Sequence, residues 1–422
     1  MRLDREYAVA MDEADPLRSW RERFVLPRDP DGTELVYLCG HSLGAQPVSA
    51  VDCVEEVMRD WRTLGVEGHF AARHPWMLYH ERLAPGLARI TGAQPQEVLA
   101  MNSLSVNLHL MLVSFYRPGG RRRALMIEKS AFPSDRYAAE AQVRWHGLNP
   151  DEDLFELAPR EGEDCLRQED ILEAIERQGE RIATILFPGV QYLTGQSFDL
   201  RQITRAGHAA GCVVGFDLAH SVGNVEVALH DSQADFAVWC NYKYLNGGPG
   251  AIGGAFVHER HARRTDLPRL SGWYGNEKKT RFDMKPEFEP SPGAEGWQLS
   301  NPAVLAMAPL AASLEHFDAV GLPVLREKSM RMTGYMEALV NTRLAGKVSI
   351  VTPADPNARG ASLSLRLERP RDRAREAFDG IRRRGILPDW REPGWIRAAP
   401  VPFYNRFEEV WRFVDALHAE LG

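Results

Sequence analysis

The chain has 422 residues, is 44% hydrophobic and 26% charged, and carries a formal net charge of −7. This is the make-up of a globular protein with room for more than one domain. The acidic balance excludes a general nucleic-acid binder, and the Arg121-Arg122-Arg123 run follows Pro118-Gly119-Gly120 as a solvated turn. No apolar stretch of about 18 residues is present to span a bilayer, and the charged start Met1–Glu6 has no apolar core of the kind a secretory signal needs.

In chain order, Val51, Val54, Val57, Met58, Trp61 and Leu64 recur at three- and four-residue steps, which predicts an amphipathic helix. Val98–Met101, Ala124–Ile127, Ile182–Phe187, Val213–Phe216, Phe236–Trp239 and Ile252–Val257 are short apolar runs bounded by turn residues. Helix-like segments such as Arg136–Trp145 and Glu169–Gln178 lie between them. This alternation predicts an α/β domain, a mostly parallel sheet with helices on both faces. The segment 264–301 is rich in Pro, Gly and charge and reads as a long loop. After about residue 322 come a helix (Val324–Arg343), strands (Val348–Thr352, Ser362–Leu367), a charged helix (Arg371–Arg384), a strand (Trp395–Ala399) and a closing helix (Phe407–Leu421). The expected division is a large domain at 50–322 and a small α+β domain at 323–422, which the N-terminal segment 1–49 joins.

The five cysteines, Cys39, Cys53, Cys165, Cys212 and Cys240, form no C-x-x-C pair. No disulfide framework or zinc knuckle is expected, and a reducing cytoplasm fits. His69, His74 and His80 lack H-E-x-x-H spacing, so no metal site is expected.

Three stretches carry the chemistry: Gly215–His220, Asp235–Cys240 and Asn241–Gly250. Asp217 ends one strand, where parallel sheets place ligand contacts. Lys243 follows the next strand and precedes Asn246-Gly247-Gly248-Pro249-Gly250, whose glycines admit close backbone approach. An amine for an aldehyde and a carboxylate for a ring nitrogen are what pyridoxal 5'-phosphate (PLP) requires, with a Schiff base on Lys243. Asp217 could instead cap a helix at Leu218, and His220 could either pack under the ring or satisfy a neighbour. Met101–Asn107 follows a strand and opens an apolar helix, so the Leu104 and Ser105 amides and the Ser105 hydroxyl could grip a phosphate. In Phe132-Pro133-Ser134-Asp135, Phe132 can stack on the ring and Asp135 can hydrogen-bond in the pocket. Gly248-x-Gly250-x-x-Gly253 matches a dinucleotide string, but a strand-like run overlaps it where a helix should open, which rejects nicotinamide and flavin.

With these residues in place, the chain resembles the kynureninase family nearly end to end. The resemblance runs through Tyr37–Gly44, Asn102–Leu112, Phe132–Asp135, Gly189–Gln196, Gly215–Gly250, Gly272–Gly275, Trp297–Pro302, Arg391–Pro393 and Arg397–Pro402. It implies PLP fold type I, with a mostly parallel seven-stranded sheet flanked by helices and a smaller α+β domain. It implies hydrolysis of L-kynurenine, and of its 3-hydroxy analogue, to anthranilate or 3-hydroxyanthranilate and L-alanine, in tryptophan degradation or NAD precursor synthesis. It assigns catalysis to Lys243, Tyr242, Asp217 and His220. Cofactor contacts fall to Leu104, Ser105, Phe132, Pro133, Ser134, Asp135, Asp217, His220, Tyr242 and Lys243. Trp273 and Asn301 would reach the phosphate from the second subunit of a homodimer with shared sites. Arg397 would clamp the substrate α-carboxylate, with His69, Tyr274, Ser300 and Asn301 near the substrate's aromatic ring. The partners implied are a small amino-acid substrate and a second copy of the chain, with no nucleic acid and no membrane. A desulfurase, an aminotransferase or a non-catalytic protein of the same fold are the alternatives. The chain departs from the family pattern at His41 (usually Asn), Ser105 (commonly Thr) and Pro188, which offers no N–H and is left out of the cofactor set.

Overall fold

A computed structural model describes residues 2–422. Its centre is a seven-stranded sheet in the order Val98–Ala100, Gly253–Val257, Phe236–Cys240, Val213–Asp217, Ile182–Pro188, Ala124–Glu128, Leu154–Leu157. Only Gly253–Val257 runs against its neighbours. Six of these strands answer to the apolar runs of the sequence. The seventh, Leu154–Leu157, was missed because it is short, half-buried and interrupted by Glu156.

Side chains alternate across a strand, and the core divides accordingly. Met126, Ile185, Phe187, Val214, Phe216 and Trp239 pack on one face with the helices Tyr79–Thr91 and Val304–Val320. Leu125, Ile127, Leu186, Phe236 and Val238 pack on the other with Leu104–Phe115 and Pro133–Trp145. Each fully buried aliphatic or aromatic side chain contributes about 1.5–3 kcal/mol, so both faces of the sheet are firmly held. The C-terminal ends of the parallel strands are left to carry polar groups.

A separate core joins Val36, Leu38 and Ala8 to Leu363, Leu365, Ile396, Phe378 and Phe413. Its sheet has the order Val348–Ile350, Leu363–Leu367, Trp395–Ala398, Asp389–Arg391, all antiparallel. The last of these strands, and the N-terminal helix Arg5–Glu13, were not foreseen, because charged residues break their apolar pattern. The helix Ala50–Leu64 forms as its periodicity predicts, but only part of its apolar stripe is covered: Val57 is buried and Trp61 is 58% exposed. No helix among the described residues is long and apolar enough to cross a membrane.

Candidate active site

Asp217, His220, Tyr242 and Lys243 line one cavity of about 310 Å³ together with Leu104, Ser105, Phe132, Ser134 and Asp135. That volume is at the lower end of the range for small-ligand pockets. A larger apolar groove of about 590 Å³ lies around Val25, Val51 and Pro309, but it gathers no cluster of ionisable groups.

One end of the cavity is acidic. Asp217 closes its strand opposite Pro188 and Val238, and its Oδ1 accepts the Ala219 N–H at 2.7 Å. Asp135, in the first turn of Pro133–Trp145, faces it. Burial and the neighbouring Asp217 carboxyl hold Asp135 well above the ordinary carboxyl range, so it keeps a proton that it can share with Asp217. The Oδ1 of Asp135 is buried without a hydrogen-bond partner. Glu128, at the end of the strand Ala124–Glu128, is pushed up to about 8 by burial.

Another part of the lining is made of backbone. The helices Leu104–Phe115 and Pro133–Trp145 both begin here, and Ser105 Oγ lies 2.9 Å from Ser134 Oγ. First-turn amides have no intrahelical acceptor and favour anions. Gly253 lies directly behind this corner: a Cβ there would stand 3.1 Å from the Leu104 nitrogen and 3.0 Å from the Ser103 carbonyl carbon. Only glycine leaves that close approach unstrained.

Lys243 enters from the turn after Phe236–Cys240. Asn241 braces that turn, with its Nδ2 donating to the Ile252 carbonyl at 2.7 Å and the Gly247 N–H donating to the Asn241 carbonyl at 2.8 Å. The N-terminal segment closes over it, with the Gly44 N–H donating to the Tyr242 carbonyl at 2.8 Å. Among the described residues Lys243 makes no ion pair, and its Nζ lies 5.9 Å from the Tyr242 ring centre. Burial and the adjacent Cys240 raise the Tyr242 hydroxyl above its ordinary value. Burial, then the charges of Lys243 and Arg397, keep the His220 imidazole neutral.

A PLP-sized ring with a phosphate tail fits this arrangement. The carboxyl pair suits a protonated ring nitrogen, the paired helix starts suit the phosphate, and the unpaired amine suits the aldehyde. Phe132, 42% exposed, presents its ring to the cavity and meets Tyr192 edge-on at 5.1 Å.

Several expected residues lie elsewhere. Pro133 is the first residue of its helix and does not line the cavity. Pro188, left out of the cofactor set for want of an N–H, does line it as an apolar wall. His69 and Asn301 line a second pocket of about 460 Å³ with Trp61 and Trp76. Ser300 is exposed beside them in sequence, and Trp273 donates its indole N–H to the Arg281 carbonyl at 3.1 Å. The Tyr274 side chain is fully buried, donates to the Met77 carbonyl and lies under the Arg281 guanidinium. Arg397 sits outside the cavity on the strand Trp395–Ala398, bonded to Asp389 and to the Tyr192 carbonyl.

Glu128, Val190, Tyr192 and Ala219 also line the cavity and were not anticipated. Glu128 had a readable signal, since it is the polar end of an apolar parallel strand. Two clusters outside the site have ligand-like composition. In one, Lys278 already bridges Glu81 and Glu295 beside His80. In the other, the His230 and His258 rings are stacked within 13° of parallel beside Glu97, so one ion cannot lie in both ring planes.

The fold is that of known structures with very different sequences. It matches the apo cysteine desulfurase of Thermococcus onnurineus NA1 with a TM-score of 0.76 at 17% identity, covering 95% of this chain and 97% of that one. It matches a C-DES variant solved with glycine covalently linked to its PLP cofactor with a TM-score of 0.78 at 16% identity, covering 94% and 98%. The overall fold is therefore the one these structures share.

Residues 325–417 match the family model of the kynureninase C-terminal domain. The kynureninase of Koribacter versatilis (strain Ellin345) is 53% identical over 416 residues, 99% of this chain and 97% of that protein. That of Xanthomonas oryzae pv. oryzae (strain PXO99A) is 55% identical over 417 residues, 99% and 98%. The chain belongs to the kynureninase family, whose members are hydrolases acting on carbon–carbon bonds in ketonic substances.

Proposed function

We propose that the chain hydrolyses L-kynurenine, and 3-hydroxy-L-kynurenine, to the corresponding anthranilate and L-alanine, a step of tryptophan degradation, with PLP anchored on Lys243. The observation that carries this reading is the single cavity lined by Lys243, Asp217 and Asp135, into which two helix starts also open. When bound, PLP supplies the electron sink that makes the bonds at the substrate's α- and β-carbons labile.

The residues divide the remaining work. Leu104 and Ser105 amides, with the Ser105 and Ser134 hydroxyls, hold the phosphate. Asp217 keeps the ring nitrogen protonated, and Asp135 donates its proton to Asp217 and so fixes that carboxylate. Phe132 covers one ring face, and neutral His220 packs within the pocket without adding charge. With PLP and substrate bound, the Lys243 amine would be placed to take the α-proton as general base. Arg397 binds the α-carboxylate. Water adds to the γ-ketone and the Cβ–Cγ bond breaks. The aryl carboxylic acid leaves with the water oxygen, Cβ gains one proton, and the proton taken from Cα is returned there to complete alanine. Tyr242 retains its proton under the conditions of its pocket and is placed to deliver it.

A second copy of the chain completes the site. In one copy Trp273, Asn301, His69 and Ser300 stand apart from the Lys243 cavity. Trp61, Phe70 and Phe282 are each more than half exposed on the same molecule. A homodimer that buries these faces brings Trp273 and Asn301 to the phosphate, and His69, Ser300 and Asn301 to the aryl ring. Sedimentation of the purified protein is expected to show a dimer, and a monomer with full activity would remove this part of the reading.

A desulfurase needs a reactive thiol at the site. Among the described residues no cysteine lines the cavity, and burial raises the Cys240 thiol nearby. The direct test is incubation of the PLP-loaded protein with L-kynurenine. Anthranilate fluorescence with stoichiometric alanine is expected, whereas amino-group transfer to a keto acid without anthranilate would indicate an aminotransferase.

A further inference from the structure

We propose that Asp389 is the positioning residue for Arg397, and that His41 completes the seat; this rests on the reading of Arg397 as the carboxylate clamp. Asp389 and Arg397 are directly opposite each other on neighbouring antiparallel strands, where side chains on one face meet. Arg397 is 1% exposed. Its Nε donates to Asp389 Oδ2 at 2.8 Å, one terminal nitrogen donates to the same oxygen, and the other donates to the Tyr192 carbonyl.

A guanidinium has five N–H bonds. Three are used here, which leaves one on each terminal nitrogen. A carboxylate bound in a fork needs that number and that geometry. Asp389 therefore turns the long side chain and fixes its plane without consuming the two donors a substrate would use. The Tyr192 carbonyl belongs to the loop after Ile182–Pro188, so Arg397 is held from the large sheet as well as from its own.

His41 comes from the N-terminal segment and is fully buried, with its Nε2 3.4 Å from Asp389 Oδ2. Burial pushes it down to about 3, so it is a neutral donor there and its Nδ1 finds no partner. Arg391 Nε lies 3.1 Å from the same carboxylate. Asp389 thus answers two arginines with one charge, and the seat keeps a net positive charge for an incoming anion.

The test uses PLP-loaded enzyme carrying Asp389→Asn, His41→Ala or, as control, Arg397→Ala. It measures KM and kcat for kynurenine, cofactor content, and the Kd of L-alanine from the cofactor's absorbance. Asp389→Asn is expected to raise KM and the alanine Kd roughly tenfold or more, with kcat and cofactor content changed less than about threefold. His41→Ala is expected to shift the same two constants about two- to threefold. A merely structural role would instead lower cofactor content and kcat. If Arg397→Ala raises KM while Asp389→Asn does not, the seat is overturned and the clamp stands. If Arg397→Ala leaves KM unchanged, both fall. Should Asp389→Asn fail to fold, His41→Ala decides: constants equal to those of the parent overturn the proposal.

Discussion

Two ends of the same sheet treat the same residue type in opposite ways. At the N-terminal edge, the Asp235 carboxylate accepts from Val214 N–H at 2.7 Å, His208 at 2.9 Å, His261 at 2.8 Å and Arg260 at 2.6 Å. Burial opposes its ionisation, but His208, His261 and Arg260 outweigh burial and hold its carboxyl below the ordinary range. At the C-terminal edge, Glu128, Asp135 and Asp217 gather around a cavity, and burial raises Glu128 and Asp135. One carboxylate is saturated with donors and ties strands, a helix and a turn together. The other three line the cavity, and among them Asp135 Oδ1 is buried without a partner. The difference separates a residue kept for stability from residues kept for a ligand, because unsatisfied buried acids persist only where something repays their cost.

The largest effect is expected at the ligand end. Lys243→Ala should lower kcat by about 10³-fold or more and abolish covalent cofactor capture. Turnover retained without added amine would break the comparison at its functional side. Asp217→Ala should cost about 10²–10³-fold in kcat and weaken cofactor binding, with little change in the unfolding midpoint of the apo-protein. A loss of fold instead would make Asp217 another Asp235.

At the other end the pattern should reverse. Asp235→Asn should destabilise by about 3 kcal/mol, because the histidine and arginine partners lose a buried counter-charge, while kcat per folded enzyme stays near the parent value. The pH sign follows from the depressed carboxyl. Its contribution is present above the unfolded value of about 4 and is lost as pH falls below it. Denaturant titrations at pH 7 and pH 3 should differ less in Asp235→Asn than in the parent. The smallest effect is at Glu128. Its raised carboxyl binds a proton in the folded state that the unfolded chain releases, so stability falls as pH rises from about 4 toward 8. Glu128→Gln should flatten that slope in the apo-protein, and an unchanged slope would show that Glu128 ionises freely in its cavity.

The pocket's cofactor end was readable in the sequence for a physical reason. Asp217 directly follows an apolar run, and Lys243, Ser105 and Phe132 come within a few residues of one, so strand ends and helix starts place them without knowledge of distant contacts. The substrate end was not readable in the same way. Asp389 lies on a strand broken by charge, its pairing with Arg397 depends on register, and His41 arrives from a segment more than three hundred residues away. The strand Leu154–Leu157 and the helix Arg5–Glu13 escaped notice because tertiary packing, not local apolar pattern, holds them.

Everything at the ligand end depends on which amine takes the cofactor. Reduction of the PLP-loaded protein with borohydride, followed by peptide mass analysis, should find a single pyridoxyl group on Lys243. A pyridoxyl group on a different lysine, or an unlabelled protein that still turns over kynurenine, would contradict the account.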